Sequence, residues 1–201
     1  MTGLFFLPGA GASEMFWRPV ADLIELSGER HFFSWPGLGH EPHASNIHGI
    51  DDLVSRVLSR LHSPADLVAQ SMGGLVAIKT ALAAPGRVRR LVLTATSGGV
   101  PVAELGGADW RADYKAEFPN AASWITEVRE DLSAHLGAID MPVLLLWGSA
   151  DAISPPAVGQ RLERLLPNAS LHIIPGGGHD LAQTHAAAIA PLIANHLQQA
   201  F

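Results

Sequence analysis

Short apolar runs alternate along the chain with segments in which apolar residues recur at helical spacing. The runs Leu4–Leu7, His31–Trp35, Asp66–Ala69, Arg89–Ala95, Val143–Trp147 and Leu171–Ile174 are mostly continuous rather than alternating. That is the signature of parallel strands covered on both faces. Between them, Ile50, Leu53, Val54, Val57, Leu58 and Leu61 form one apolar stripe, with Asp51, Asp52, Arg56 and Arg60 outside it. This spacing predicts the clearest helix of the chain. Phe16, Val20, Leu23 and Ile24 predict a second. Val158, Leu162, Leu165 and Leu166 predict a third, opened by Ser154 as N-cap and by Pro155 and Pro156. Residues 73–84 are Ala-rich, with Leu75, Ile78 and Leu82, as suits a helix pressed closely on a sheet. Ile189, Ile193 and Leu197 stripe the last helix, on which His185 and His196 are expected to face solvent.

Repeated strand–helix alternation predicts an α/β protein with a mainly parallel six-stranded sheet and helices on both faces. The length of 201 residues suits a single domain spanning 1–201. One interval breaks the rhythm. Between Ser97 and Met141 the chain runs 45 residues from one strand to the next. Trp110, Tyr114 and Phe118 fall there at i, i+4 and i+8. We read residues 98–140 or so as a small helical lid inserted over the sheet.

Composition then removes whole classes of function. A 48% hydrophobic share excludes a disordered chain, and the absence of Cys excludes disulfides and thiolate metal sites. With 13 basic against 19 acidic residues the net charge is −6, and the basic residues form no tract. No electrostatic footprint for nucleic acid is present. The apolar run Met141–Trp147 is far shorter than the roughly 20 residues of a membrane-spanning helix. The segment Met1–Pro8 lacks the basic start and small-residue cleavage site of a secretion signal, so a cytoplasmic location is expected.

Chemistry concentrates where strands end. Ala69-Gln70-Ser71-Met72-Gly73-Gly74 follows a strand and opens a helix. A Ser on so sharp a turn projects its hydroxyl above the sheet edge, and small residues two before and two after it let strand and helix approach. A hydroxyl is a poor nucleophile until a base takes its proton, and the base needs an anion to orient it. Asp151 follows the strand Val143–Trp147, and His179 follows Leu171–Ile174 and the turn Pro175-Gly176-Gly177-Gly178. The order Ser71, Asp151, His179 is the one this architecture uses.

Taken together, Pro8-Gly9-Ala10 after the first strand, Pro36-Gly37-Leu38-Gly39-His40 after the second, the Ser71 turn, Trp147-Gly148-Ser149-Ala150-Asp151 and Gly178-His179 make the chain resemble the α/β-hydrolase fold family along nearly its whole length. The resemblance implies Ser71 as nucleophile, His179 as general base and acid, and Asp151 as the orienting acid. It also implies an oxyanion hole from the backbone N–H groups of Met72 and Ala10. Three departures stand out. The family's first two strands, an antiparallel hairpin, have no counterpart, so the six strands are expected to be all parallel. Pro8 replaces the His that often precedes Gly9, and the lid is small.

Other readings fit less well. Gly9-Ala10-Gly11-Ala12-Ser13 continues with Glu14 where a dinucleotide fingerprint needs Gly, and no P-loop Lys is in place. His40, His43 and His48 with Glu41 match no zinc spacing, so no metal is expected. Asp180 rivals Asp151 for the acid role, although a sequence neighbour rarely points back at the same ring. His40, Trp110, Tyr114 and Phe118 are candidates for lining a substrate pocket, or for packing the lid alone. The expected activity is serine hydrolysis of a small, partly apolar carboxylic ester or thioester through an acyl-enzyme, with no cofactor and a small-molecule acyl substrate. A lyase or carbon–carbon bond hydrolase using the same three residues, and a ligand receptor with a vestigial triad, are the alternatives. The oligomeric state is left open.

Overall fold

The computed structural model describes residues 2–199. Within this range β1 (Gly3–Leu7), β2 (Arg30–Phe32), β3 (Ala65–Gln70), β4 (Val88–Thr94), β5 (Val143–Gly148) and β6 (Ala169–Ile174) form a six-stranded sheet. Its order is β2-β1-β3-β4-β5-β6, and every neighbouring pair is parallel. Because β2 lies on one side of β1 and β3 on the other, successive connections diverge at the carboxyl ends of β1 and β3. Such a switch point leaves a crevice where ligands of open α/β sheets bind. No helix among the described residues is long and apolar enough to cross a membrane.

The continuous apolar strands feed two cores, one per face. Phe5, Leu7, Leu67, Ala69, Leu91, Leu93, Leu145 and Trp147 point to one side. That side is covered by α2 (Ile50–Leu58), α3 (Met72–Ala83) and α5 (Pro156–Leu165), through residues such as Leu53, Val57, Ile78, Val158 and Leu162. Leu4, Phe6, Val68, Val92, Leu144 and Leu146, the alternate positions, point to the other. There they meet α1 (Arg18–Ala21), α6 (Leu181–Thr184) and α7 (Ala186–Gln198) through Val20, Leu181, Ile189 and Ile193. Alternate pointing is the strand's own periodicity, so a doubly covered strand must be apolar at every position.

Several expectations are corrected. The second strand ends at Phe32 rather than Trp35: Phe33 N–H still bonds Phe6 O at 3.0 Å, but Trp35 turns into the core and donates its indole N–H to Pro8 O at 2.8 Å. The helix expected over Phe16–Ile24 is a single turn, and Leu23 is left 54% exposed. Ser154 does not cap α5. The helix starts one residue later, with Pro155 at its N-cap, and the Ser154 hydroxyl instead donates to Thr96 O at 3.0 Å. β6 is an edge strand with Ser170, His172 and Ile173 exposed, so it is not covered on both faces. His196 is buried rather than solvent-facing, because position 196 lies three residues after Ile193, on the same stripe. His185 is half-buried at the junction of α6 and α7.

Candidate active site

Ser71 sits between the last residue of β3 and the first of α3, with φ 53° and ψ −125°. A non-Gly residue in this region carries about 1–3 kcal/mol of strain, which its surroundings must offset. Here they do. Ser71 N–H donates to Thr94 O at 3.0 Å, and Ser71 O accepts from the Thr96 hydroxyl at 2.6 Å and from Gly74 N–H at 2.9 Å. The end of β4 thereby clamps the turn. Gly73 lets the helix start against the loop after β1: a Cβ there would lie 2.4 Å from both Leu7 O and Pro8 O.

Asp151 leaves the end of β5 and is only 3% exposed. Its Oδ1 accepts the N–H groups of Ile153 and Ser154, each at 2.9 Å. These bonds fix the plane of the carboxylate and leave Oδ2 facing the His179 ring. The loops after β5 and β6 are joined by Ser149 N–H to Ile174 O at 3.0 Å, Ala150 N–H to Gly177 O at 2.9 Å and Gly176 N–H to Ser149 Oγ at 2.9 Å. This joint carries His179 to the carboxylate, with Nδ1 2.9 Å from Asp151 Oδ2 and 3.2 Å from Oδ1. On the other side of the ring, Nε2 is 3.0 Å from Ser71 Oγ. A carboxylate beside Nδ1 makes that nitrogen the hydrogen-bearing one, so Nε2 is the acceptor for the Ser71 hydroxyl. Residues 108 and 28 positions apart from His179 along the chain are thus brought into one hydrogen-bonded line. Asp180 is exposed at the start of α6, and the Nδ1 contacts go to Asp151.

Met72 is the first residue of α3, where a backbone N–H has no acceptor in its own helix. Ala10 follows β1 at the switch point, and its N–H has no hydrogen bond among the described residues. The four pocket candidates form one aromatic stack. Trp110 meets Tyr114 edge-on with centroids 5.5 Å apart, Tyr114 lies 4.9 Å from Phe118, and the exposed His40 meets Phe118 edge-on at 4.9 Å. Tyr114 lies in α4 (Arg111–Glu117) and Phe118 just past it. Both are buried, and both touch the loop after β1. Tyr114 and Phe118 also line a cavity of ≈ 300 Å³ with Ala121, Ala122 and Ile125; Trp110 and His40 do not. His43 is engaged elsewhere, with Nε2 2.8 Å from Asn120 O.

Sequence reasoning missed four contributors. Gln70 is 4% exposed and donates its amide to His179 O at 3.1 Å. Thr96 and Ser154 clamp Ser71 and Asp151 as described above, and the Tyr114 hydroxyl bonds Ala10 O at 3.1 Å. A buried Gln beside a candidate nucleophile is a signal that position alone offers. Tyr114 is marked by its spacing only as a pocket or lid residue, Ser154 stands three residues after Asp151, and nothing in the spacing marks Thr96.

The sequence matches the alpha/beta hydrolase family over residues 4–192, and the chain belongs to that family. It is similar to pimeloyl-[acyl-carrier protein] methyl ester esterase from Neisseria meningitidis serogroup C, 30% identical over 94% of this chain and 91% of that protein. It is also similar to RutD from Variovorax paradoxus, whose name proposes a carbamate hydrolase, at 29% identity over 89% of this chain and 85% of that protein. Among solved structures, the enol-lactonase from Burkholderia xenovorans LB400 matches with a TM-score of 0.79 and 19% identity, covering 98% of this chain and 92% of that one. A meta-cleavage product hydrolase from Pseudomonas fluorescens IP01 matches with a TM-score of 0.80 and 17% identity, covering 98% and 90%. At these identities the structural likeness speaks for the fold alone.

Proposed function

We propose that the protein is a serine hydrolase that cleaves a small, partly apolar carboxylic ester or thioester through an acyl-enzyme. The observation that carries this reading is the line Ser71 Oγ, His179 Nε2 at 3.0 Å, and His179 Nδ1 to Asp151 at 2.9 Å. His179 takes the Ser71 proton as Oγ attacks the substrate carbonyl, and Asp151 stabilises the imidazolium that results. The N–H groups of Met72 and Ala10 hold the developing oxyanion. The leaving alcohol or thiol departs with the proton from His179. Water, deprotonated by the same ring, then releases the acid and restores Ser71. The esterase named among the relatives supports an ester over an amide. The aromatic stack packed on the loop after β1 supports a partly apolar acyl group.

The test is turnover of short-chain p-nitrophenyl esters together with labelling by a fluorophosphonate. The reading expects hydrolysis and labelling at residue 71, both lost in Ser71→Ala. Labelling with no turnover of any ester or thioester in the panel would overturn it in favour of a ligand receptor.

A further inference from the structure

The loop after β1 would present its Ala10 N–H to the oxyanion, and it is held in place through its carbonyls. Leu7 O accepts the Trp17 indole N–H at 3.2 Å, Pro8 O the Trp35 indole N–H at 2.8 Å, Gly9 O the Ala12 N–H at 3.3 Å, and Ala10 O the Tyr114 hydroxyl at 3.1 Å. Three of these four successive carbonyls, at Leu7, Pro8 and Ala10, accept from side chains of other segments, and Gly9 O closes a turn within the loop. The peptides from Leu7 to Ala10 cannot rotate without breaking one of these bonds. Two of the anchors are core tryptophans, exposed by only 1% and 0%. Tyr114 differs from them. It comes from α4, within the long connection between β4 and β5, and reaches the loop from above the sheet.

The direction of its bond follows from counting hydrogens. Gly39 N–H donates to the Tyr114 oxygen at 3.0 Å. A phenol has one hydrogen of its own. With Gly39 supplying the other, that hydrogen goes to Ala10 O. Burial pushes the Tyr114 phenol up from its ordinary value, against the opposing effect of the Gly39 N–H, so it stays a protonated donor. The ring is wedged by Trp110 and Phe118, and Phe118 lies so close to Gly11 that a Cβ there would fall 2.8 Å from its ring.

We propose that Tyr114 is a positioning residue for the oxyanion hole. Its hydroxyl ties α4 to Ala10 O and to Gly39, holds the Ala10–Gly11 peptide, and so limits how far the adjoining Gly9–Ala10 peptide, which carries the Ala10 N–H, can turn away from the reacting carbonyl oxygen. The proposal rests on the serine-hydrolase reading. It assigns to the connection between β4 and β5 a part in transition-state stabilisation, beyond shaping a pocket.

The test is Tyr114→Phe, which removes one oxygen and keeps the ring contacts. Losing an oxyanion donor outright costs ~10²–10³ in rate, so a donor that is present but misdirected should cost about tenfold in kcat, with KM within about twofold. Affinity for a trifluoromethyl ketone, which forms a tetrahedral oxyanion adduct on Ser71, should fall by the same factor as kcat/KM. Affinity for the matching amide, a planar ground-state mimic, should not change. Tyr114→Leu, which also removes the ring, should show the same selective loss with an added drop in melting temperature. Wild-type kcat and ketone affinity in folded Tyr114→Phe would overturn the proposal, and so would equal losses for ketone and amide. If instead the wild-type protein forms no ketone adduct, or Ser71→Ala keeps full turnover, the serine-hydrolase reading itself fails.

Discussion

The two ends of the sheet set similarly buried carboxylates against different partners. At the amino end, Asp66 of β3 meets Arg89 of β4 through two bonds, Oδ1 to Nε at 2.9 Å and Oδ2 to Nη2 at 2.5 Å. Arg89 also donates to Leu197 O at 3.3 Å, and Arg90 donates to Gln199 O, which ties the end of α7 to the sheet. The Asp66 carboxylate holds the Arg89 guanidinium above its ordinary value, against the effect of burial. A guanidinium does not give up its proton, so this cluster can bind and brace but cannot move hydrogen. At the carboxyl end, Asp151 is as deeply buried, but its partner is an imidazole. That ring has two nitrogens, one on the carboxylate and one on a hydroxyl on its far side. The carboxylates are alike. What separates the two clusters is whether the partner has a second face free to meet another polar group, as the His179 ring meets Ser71.

Substitutions at both ends test this contrast. The largest effect is expected for Ser71→Ala and His179→Ala, each lowering kcat by ~10³-fold or more, with the double variant losing little further because such residues act as a unit. Full additivity of the two losses would break the proposed relay. Asp151→Asn should follow, with a loss roughly 10–100-fold milder than that of Ser71→Ala, because the attack and the oxyanion contacts remain. Steady-state kinetics on one ester series ranks all of them.

At the amino end the expected readout is stability. Asp66→Ala should cost about 2–3 kcal/mol in urea unfolding, below the ~3–5 of a fully buried pair because the Arg89 side chain is 34% exposed. The kcat of the folded variant should stay within about twofold of wild type. A loss of kcat without loss of stability would erase the division between the two ends.

The smallest effect concerns His196, close to the same cluster. Burial lowers its pKa, Arg90 adds to the lowering, and Asp66 and the carbonyls of Leu91 and Pro142 oppose it. The unfolded chain therefore takes the proton first. The contribution of His196 to stability is full above the ordinary His value of about 6.5 and is lost as pH falls toward the lower value in the folded state. Urea midpoints at pH 8 and pH 5 should differ less in His196→Leu than in wild type, and kcat should not change between the two proteins at pH 8. A wild-type protein more stable at pH 5 than at pH 8 would contradict this sign.

Much of the carboxyl end was legible before any coordinates. Ser71 and Asp151 follow apolar runs that read as buried strands, His179 follows the run that becomes the edge strand β6, and parallel strands deliver their carboxyl ends to one rim. Periodicity therefore carried both the sheet and the three side chains. It failed where burial depends on a distant partner. The helix expected over Phe16–Ile24 shrinks to one turn, and His196 was misplaced although its own stripe contained it. Ser154 read as a helix cap, yet its hydroxyl goes to Thr96 O, 58 residues away, a contact that no local pattern encodes.

Local order and long-range geometry thus divide the protein between them. Strand and helix periods and the turn around Ser71 are written in neighbouring residues, because they arise from backbone sterics and from which face each side chain takes. The sheet order, the edge position of β6, the joint between the loops bearing Asp151 and His179, and the reach of Tyr114 to Ala10 O are not. These depend on which surfaces meet once the two cores close, and hydrogen bonds across 25 to 109 residues form only when that closure brings donor and acceptor within 3.2 Å.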